Sequence, residues 1–161
     1  MTTLSLTSVT YVRRNPDWVF RELHDPETLL GCVPGATLTR LTGPRSFQAR
    51  IAVGLGPFKA EYDGTGRIVA SNPKTRTASM ELTGDPSANL AIVRVRMAMS
   101  IAERTGGSEI RMTFDVAMSD RTWLIANGWI DPVACDLLDR TARRLKQQLE
   151  GASVMPFPPA A

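Results

Sequence analysis

The sequence predicts an α+β domain in which a strongly bent antiparallel sheet of about seven strands wraps one long C-terminal helix. Three observations carry this. From Trp129 onward apolar residues recur at helical spacing, at Ile130, Val133, Ala134, Leu137, Leu138, Thr141, Leu145 and Leu149, with Asp131, Asp136, Asp139, Arg140, Arg143, Arg144, Lys146 and Glu150 on the other side. That is a core-facing stripe with a solvated back. Between Ala36 and Met118 the period changes to two, the mark of an antiparallel sheet with one buried and one wet face. Two short helix starts lie between the first strand and these alternating strands, and the economical solution for such an order is a bent sheet gripping the terminal helix.

Each element follows in order. Leu4 to Arg13 is rich in Thr, Val and Tyr and reads as a strand of mixed pattern. Asn15-Pro16-Asp17 is a helix start: a capping side chain, a proline in the first turn and an acid at the positive end. Asp25-Pro26-Glu27 repeats the device for a second short helix, which Pro34-Gly35 ends. Phe47, Ala49, Ile51 and Val53 then face one way. Phe58, Ala60, Tyr62, Gly64, Gly66 and Ile68 alternate with polar residues, Asn72-Pro73-Lys74 turns the chain, and Ala78, Met80 and Leu82 form the next inner row. Val93, Val95, Met97, Met99 and Ile101 are joined by the hairpin loop Thr105-Gly106-Gly107-Ser108 to Ile110, Met112, Phe114, Val116 and Met118. The terminal helix spans Ser119 to Glu150, with Ser119 or Asp120 as cap and Gly151 after its end. Pro132 fits poorly inside it, so a kink or restart is expected between Gly128 and Pro132.

Composition bounds the class. The 161 residues make one domain, expected over 1–151, followed by a proline-rich tail, 152–161, read as disordered. A net charge of +3 argues against a dedicated nucleic-acid binder. No apolar run has the length to span a bilayer, and no basic-then-apolar leader opens the chain, so a cytoplasmic protein is expected. Cys32 and Cys135 do not form a disulfide framework and read as free, buried thiols.

Five of the seven methionines, Met80, Met97, Met99, Met112 and Met118, fall on the inner face. Methionine suits surfaces that must adapt. Ala60, Gly64 and Gly66 are three small inward positions on one strand. Either the bend needs the glycines and the methionines fill gaps, or the inner face lines an apolar cavity on the order of a few hundred Å³. The candidate lining is Phe47, Ala49, Ala60, Tyr62, Gly64, Met80, Met97, Met99, Met112, Phe114, Trp123, Trp129, Ile130, Val133 and Leu137. Trp123 and Trp129, near the helix entrance, either line the mouth or pack in the core.

Catalytic signals are poor, and neither catalytic residues nor metal ligands are assigned. The single histidine, His24, sits beside a helix cap. One His and two distant Cys offer no ligand cluster. Val53-Gly54-Leu55-Gly56-Pro57 lacks the Lys-Ser/Thr of a phosphate loop and does not open a helix. Tyr62 and Asp63 are adjacent and face opposite sides of a strand, which leaves Tyr62 as the inward polar group.

Asn15-Pro16-Asp17-x-Val19, Leu23-x-Asp25-Pro26-Glu27-x-Leu29-x-x-Cys32-x-Pro34-Gly35 and Val53-Gly54-x-Gly56-Pro57-x-x-x-x-Tyr62-x-Gly64, together with the closing helix, resemble the CoxG family of carbon monoxide dehydrogenase subunits. The resemblance covers nearly the whole chain. It implies the START-like (SRPBCC) helix-grip fold with a deep apolar pocket. It also implies a non-catalytic accessory to a molybdenum-containing dehydrogenase that handles a lipophilic quinone or lipid, with no covalently held cofactor. Family members commonly end the long helix with a Phe-Phe pair, where this chain has Gln147-Gln148-Leu149. Membrane contact is therefore expected to be peripheral at most, at the inner face. Two other readings share the fold: a polyketide cyclase or aromatase-like enzyme, and a ligand-free assembly factor.

Overall fold

The computed structural model describes residues 2–55, 58–86, 92–118 and 130–152. The element order is β1 (Thr2–Val12), α1 (Pro16–Leu23), α2 (Pro26–Gly31), β2 (Ala36–Gly43), β3 (Ser46–Leu55), β4 (Phe58–Asn72), β5 (Thr77–Pro86), β6 (Val93–Arg104), β7 (Gly107–Met118) and α3 (Ile130–Ala152).

Local chemistry starts the two short helices where the sequence places them. The Asn15 side chain accepts from the amides of Asp17 and Trp18 at 2.9 and 3.3 Å, and Pro16 occupies the first turn, where no donor is needed. Asp25 accepts from the Glu27 amide at 3.3 Å and Pro26 follows it in the same way. Asn72 shapes the β4–β5 turn by accepting from the Lys74 amide at 3.0 Å.

All seven strands form one antiparallel sheet in the order β1-β7-β6-β5-β4-β3-β2, with β1 and β2 at its edges. Register shifts at Leu38/Arg40 and Leu41/Gly43 in β2, and at Ile68/Ala70 in β4, put the bends into the sheet. The outer face is wet and ion-paired. Arg67 and Arg96 reach Glu81 from the two flanking strands at 3.4 and 3.1 Å, and Arg50 meets Asp63 at 3.1 Å.

The inner face holds the core. Val19, Phe20 and Leu23 of α1, Leu29 and Leu30 of α2, and Leu145 and Leu149 of α3 bury together with Val12, Ile68, Ile101, Ile110, Met80, Met97, Met99 and Met112. All five methionines on that face are buried. Each large side chain removed from water in this way contributes about 1.5–3 kcal/mol. The buried Thr141 hydroxyl is satisfied within its own helix, donating to the Leu137 carbonyl at 2.8 Å.

The long helix differs from expectation at its end. Its described part runs Ile130–Ala152 and includes Pro132, while the expected kink or restart between Gly128 and Pro132 falls partly outside the described residues. Residues 119–129, with the expected caps Ser119 and Asp120, lie outside the described residues, as do 153–161 of the tail. The helix also runs through Gly151 to Ala152 instead of stopping before the glycine. The reason is a clasp from β1 and the segment after it. Arg14 donates from Nε to the Leu149 carbonyl at 3.1 Å and from Nη2 to the Glu150 carbonyl, satisfying two carbonyls of the last turn. Glu150 accepts from the Arg13 amide at 2.9 Å, and Lys146 donates to the Tyr11 carbonyl and to Glu150.

The thiols also part from expectation. Both are free, but Cys32 is buried and Cys135 is exposed. Asp136, the next residue, is likewise exposed and pairs with Arg140 at 2.8 Å, which places this stretch of α3 on the solvated side.

Candidate functional site

The concave face divides along the strands into two zones. Toward α1 and α2 it is sealed, with Phe47, Ala49, Ile68, Met80, Met97, Met99, Ile101, Ile110 and Met112 all at most 6 % exposed. Further along the same strands most of the inward apolar side chains are only half-buried, with Met118 at the end of β7 a buried exception. One row crosses four strands in register: Leu4 opposite Val116, Val116 opposite Val95, and Val95 opposite Leu82. Phe114, Val93, Ile51 and Tyr62 are half-buried beside it. The helix repeats the gradient. Thr141, Leu145 and Leu149 are buried, while Ala134, Leu137 and Leu138, nearer its start, are half-buried.

The floor of the half-buried zone is a pair of glycines. Gly64 of β4 stands directly opposite Gly84 of β5, both on the inner face. A Cβ at Gly64 would meet only backbone, the carbonyls of Ala49 and Thr83 at 3.6 Å. A Cβ at Gly84 would meet the Tyr62 side chain at 3.4 Å. Two facing glycines thus leave a patch of sheet without side chains, bounded by Tyr62, Leu82 and Val93. Burial pushes the Tyr62 hydroxyl up from its ordinary value, so it is a neutral group beside the glycine pair.

The third small position behaves differently. Gly66 is buried, and the Phe47 ring occupies the space a side chain there would need. That glycine serves packing.

The candidate lining therefore separates by depth. Phe47, Ala49, Met80, Met97, Met99 and Met112 belong to the buried core, with Phe114 packed against it. Tyr62, Gly64 and Leu137 are half-buried. Trp123 and Trp129 lie outside the described residues, and so do the side chains of Ala60, Ile130 and Val133. Reasoning from sequence missed Gly84, Leu82, Val95, Val116, Leu4 and Leu6 as site residues. The signal was present: Gly84 continues the even-numbered inner row of Ala78, Met80 and Leu82, and Leu4 and Leu6 alternate with polar residues on β1.

Other polar groups lie away from the glycine pair. His24 Nε2 is 2.9 Å from the Ser71 hydroxyl and joins the end of α1 to β4. A groove of about 390 Å³ opens on the wet face, where Ala70, Ser79, Ala98 and Thr113 are small neighbours beside Arg111. It lies on the opposite side of the sheet from the helix. Among the described residues no three His, Cys, Asp or Glu side chains group to hold a metal ion, and no helix is long and apolar enough to cross a membrane.

A seven-stranded antiparallel sheet closed over a C-terminal helix, with two short helices after the first strand, defines the START-like helix-grip class. Solved structures agree on the fold. A conserved protein from Geobacillus kaustophilus aligns with a TM-score of 0.68 at 14% identity, covering 90% of this chain and 97% of that one. The Zhui aromatase/cyclase from Streptomyces sp. R1128 aligns at 0.60 and 9% identity, covering 94% and 98%. A START superfamily protein from Mycobacterium smegmatis aligns at 0.59 and 11% identity, covering 92% and 98%. No curated protein sequence matches the chain. Over residues 10–150 the sequence matches the carbon monoxide dehydrogenase CoxG family, and the chain belongs to that family.

Proposed function

We propose that this protein binds a hydrophobic small molecule, a quinone or a lipid-like compound, between the sheet and α3. It would serve as a non-catalytic accessory to a molybdenum-containing dehydrogenase of the carbon monoxide dehydrogenase kind. The observation that carries the binding reading is the facing pair Gly64 and Gly84, a floor without side chains beside half-buried Leu82, Val93, Val95, Val116 and Tyr62. Apolar surface left half-wet in the free protein is what a ring or isoprenoid chain would cover, at roughly 25 cal/mol per Å² before association costs. The family supports the dehydrogenase link through the name it carries.

A catalytic reading draws on the aromatase/cyclase among the structural neighbours. It has Tyr62 as its inward polar group, and a neutral phenol alone does not supply an acid–base pair.

The test is native mass spectrometry of protein purified from its own cells, followed by organic extraction and a thermal-shift titration with a short-chain quinone. A bound lipophile and a rise in Tm with quinone are expected. A clean apo mass with no shift would overturn the carrier reading and leave docking to the dehydrogenase, which a pull-down from the same cells reads separately.

A further inference from the structure

We propose that two copies of this chain associate through β1, edge to edge and antiparallel, to form a closed two-fold dimer with one continuous sheet. The dimer concerns the β1 edge of the sheet and does not rest on the ligand reading, with which it shares Leu4 and Leu6.

The two edges of the sheet are built differently. β2 carries two register shifts and Arg40, and Pro44-Arg45 follows it. Bulges, charges and prolines are the usual devices that stop an edge from pairing. β1 has none of them. Its eleven residues, Thr2–Val12, hold an unbroken register with β7 and include no charged residue and no proline.

The direction of its backbone groups is known. The Tyr11 carbonyl accepts from Lys146 and the Arg13 amide donates to Glu150, both away from β7. Amide and carbonyl of one strand residue point to the same side, alternating along the strand. The odd-numbered residues Thr3, Ser5, Thr7 and Val9 therefore present their amides and carbonyls at the free edge. The last turns of α3 cap this edge at Tyr11 and Arg13. Among the described residues nothing caps it from Thr3 to Val9.

A second copy fits this stretch better than an unrelated segment, because β1 is self-complementary. A two-fold axis at Leu6 sets Thr3 against Val9 and Ser5 against Thr7 of the second copy, each pair exchanging both backbone bonds. All these side chains are neutral, so the symmetry brings no like charges together. On the inner face Leu6 meets its own copy and Leu4 meets Ser8, covering two leucines that are half-buried in the single chain. On the outer face Val9, 43 % exposed, gains cover. The dimer then ends in two β2 edges, whose bulges and arginine stop further growth.

The experiment is light scattering after size exclusion on the full chain across a concentration series. The expected mass is twice the 17.6 kDa of the chain. Thr7→Lys, which sets two cations close across the axis, and Thr7→Pro, which deletes one outward amide while sparing the β7 ladder, should each give the single-chain mass with an unchanged circular dichroism spectrum. In a Cys135→Ser background, Leu6→Cys should oxidise to a covalent dimer, since its own copy lies opposite at a non-hydrogen-bonded site. A single-chain mass at every concentration overturns the proposal, as does a dimer that survives both Thr7 variants. Should the Thr7 variants fail to fold, the Leu6→Cys cross-link decides: absence of the covalent dimer sinks the two-fold arrangement.

Discussion

The ring of Phe47 lies over Gly66, its cross-strand neighbour on β4, and fills the space a Cβ would need, while two residues away Gly64 meets only backbone. Two glycines on one strand face thus have opposite roles. Gly66→Ala forces the Phe47 ring out of a packed core and should cost about 1–3 kcal/mol by chemical denaturation. Gly64→Val places a β-branched residue on a strand where a Cβ makes only ordinary contact with the Ala49 and Thr83 carbonyls, so stability should hold or rise. The same Gly64→Val should weaken or abolish retention of a lipophile, read by extraction and mass spectrometry. Full lipophile retention in Gly64→Val would move the ligand away from the glycine floor.

Arg14 and the end of α3 form a second testable pair. Its guanidinium serves the carbonyls of Leu149 and Glu150, some 135 residues away along the chain. Arg14→Ala should lower stability on the order of 1–3 kcal/mol and fray the last turn of the helix, seen as faster amide exchange near residues 149–152. Arg14→Lys should recover only part of the loss, because an ammonium cannot reproduce the planar fork.

Glu150 links this clasp to pH. Burial raises its carboxyl, but the bond from the Arg13 amide, the bond from Lys146 and the two cationic charges outweigh this, and the net value lies below the ordinary 4.5. A carboxyl depressed in the folded state stabilises the fold above its unfolded value and loses that contribution as the pH falls through the folded one. The denaturation midpoint should therefore fall in acid, below the ordinary carboxylate value, and less steeply in Glu150→Gln. Identical acid limbs for the two proteins would show that the clasp contributes nothing.

Cys32 and Cys135 should separate cleanly by reactivity. Burial pushes the Cys32 thiol up to about 11, with the charge of Arg144 offsetting part of the rise, and its sulfur lies 3.4 Å from both the Thr28 carbonyl and Gln148 Oε1. At neutral pH it is a protonated, enclosed thiol and a poor nucleophile. Titration of the native protein with a thiol-specific disulfide reagent should consume one equivalent, at Cys135, and a second only after unfolding. Cys135→Ser should then show no fast reaction.

Much of the fold is legible in the sequence because it rests on local chemistry. Asn15 and Asp25 cap the two short helices, and the two-residue alternation puts Met80, Met97, Met99, Met112 and Met118 on the buried face. The helix end is not legible. Gly151 is a good stop signal by itself, but Arg14, distant in sequence, satisfies the carbonyls and lets the helix continue. Cysteine usually is buried, and the place of Cys135 on the solvated side of α3 overrides that tendency.

By itself the sequence determined the order of elements, their periodicity and the face each strand turns inward, because caps, prolines and alternation act within a few residues. Only the tertiary structure decided how deep each inward residue lies. Gly64 faces Gly84 through a register set by the β4–β5 pairing, and Phe47 covers Gly66 through the β3–β4 pairing. Alternation specifies a side of the sheet. Whether a position on that side is packed or open depends on what distant segments bring against it, as α1, α2 and the last turns of α3 seal one end of this face and leave the glycine floor half-covered at the other.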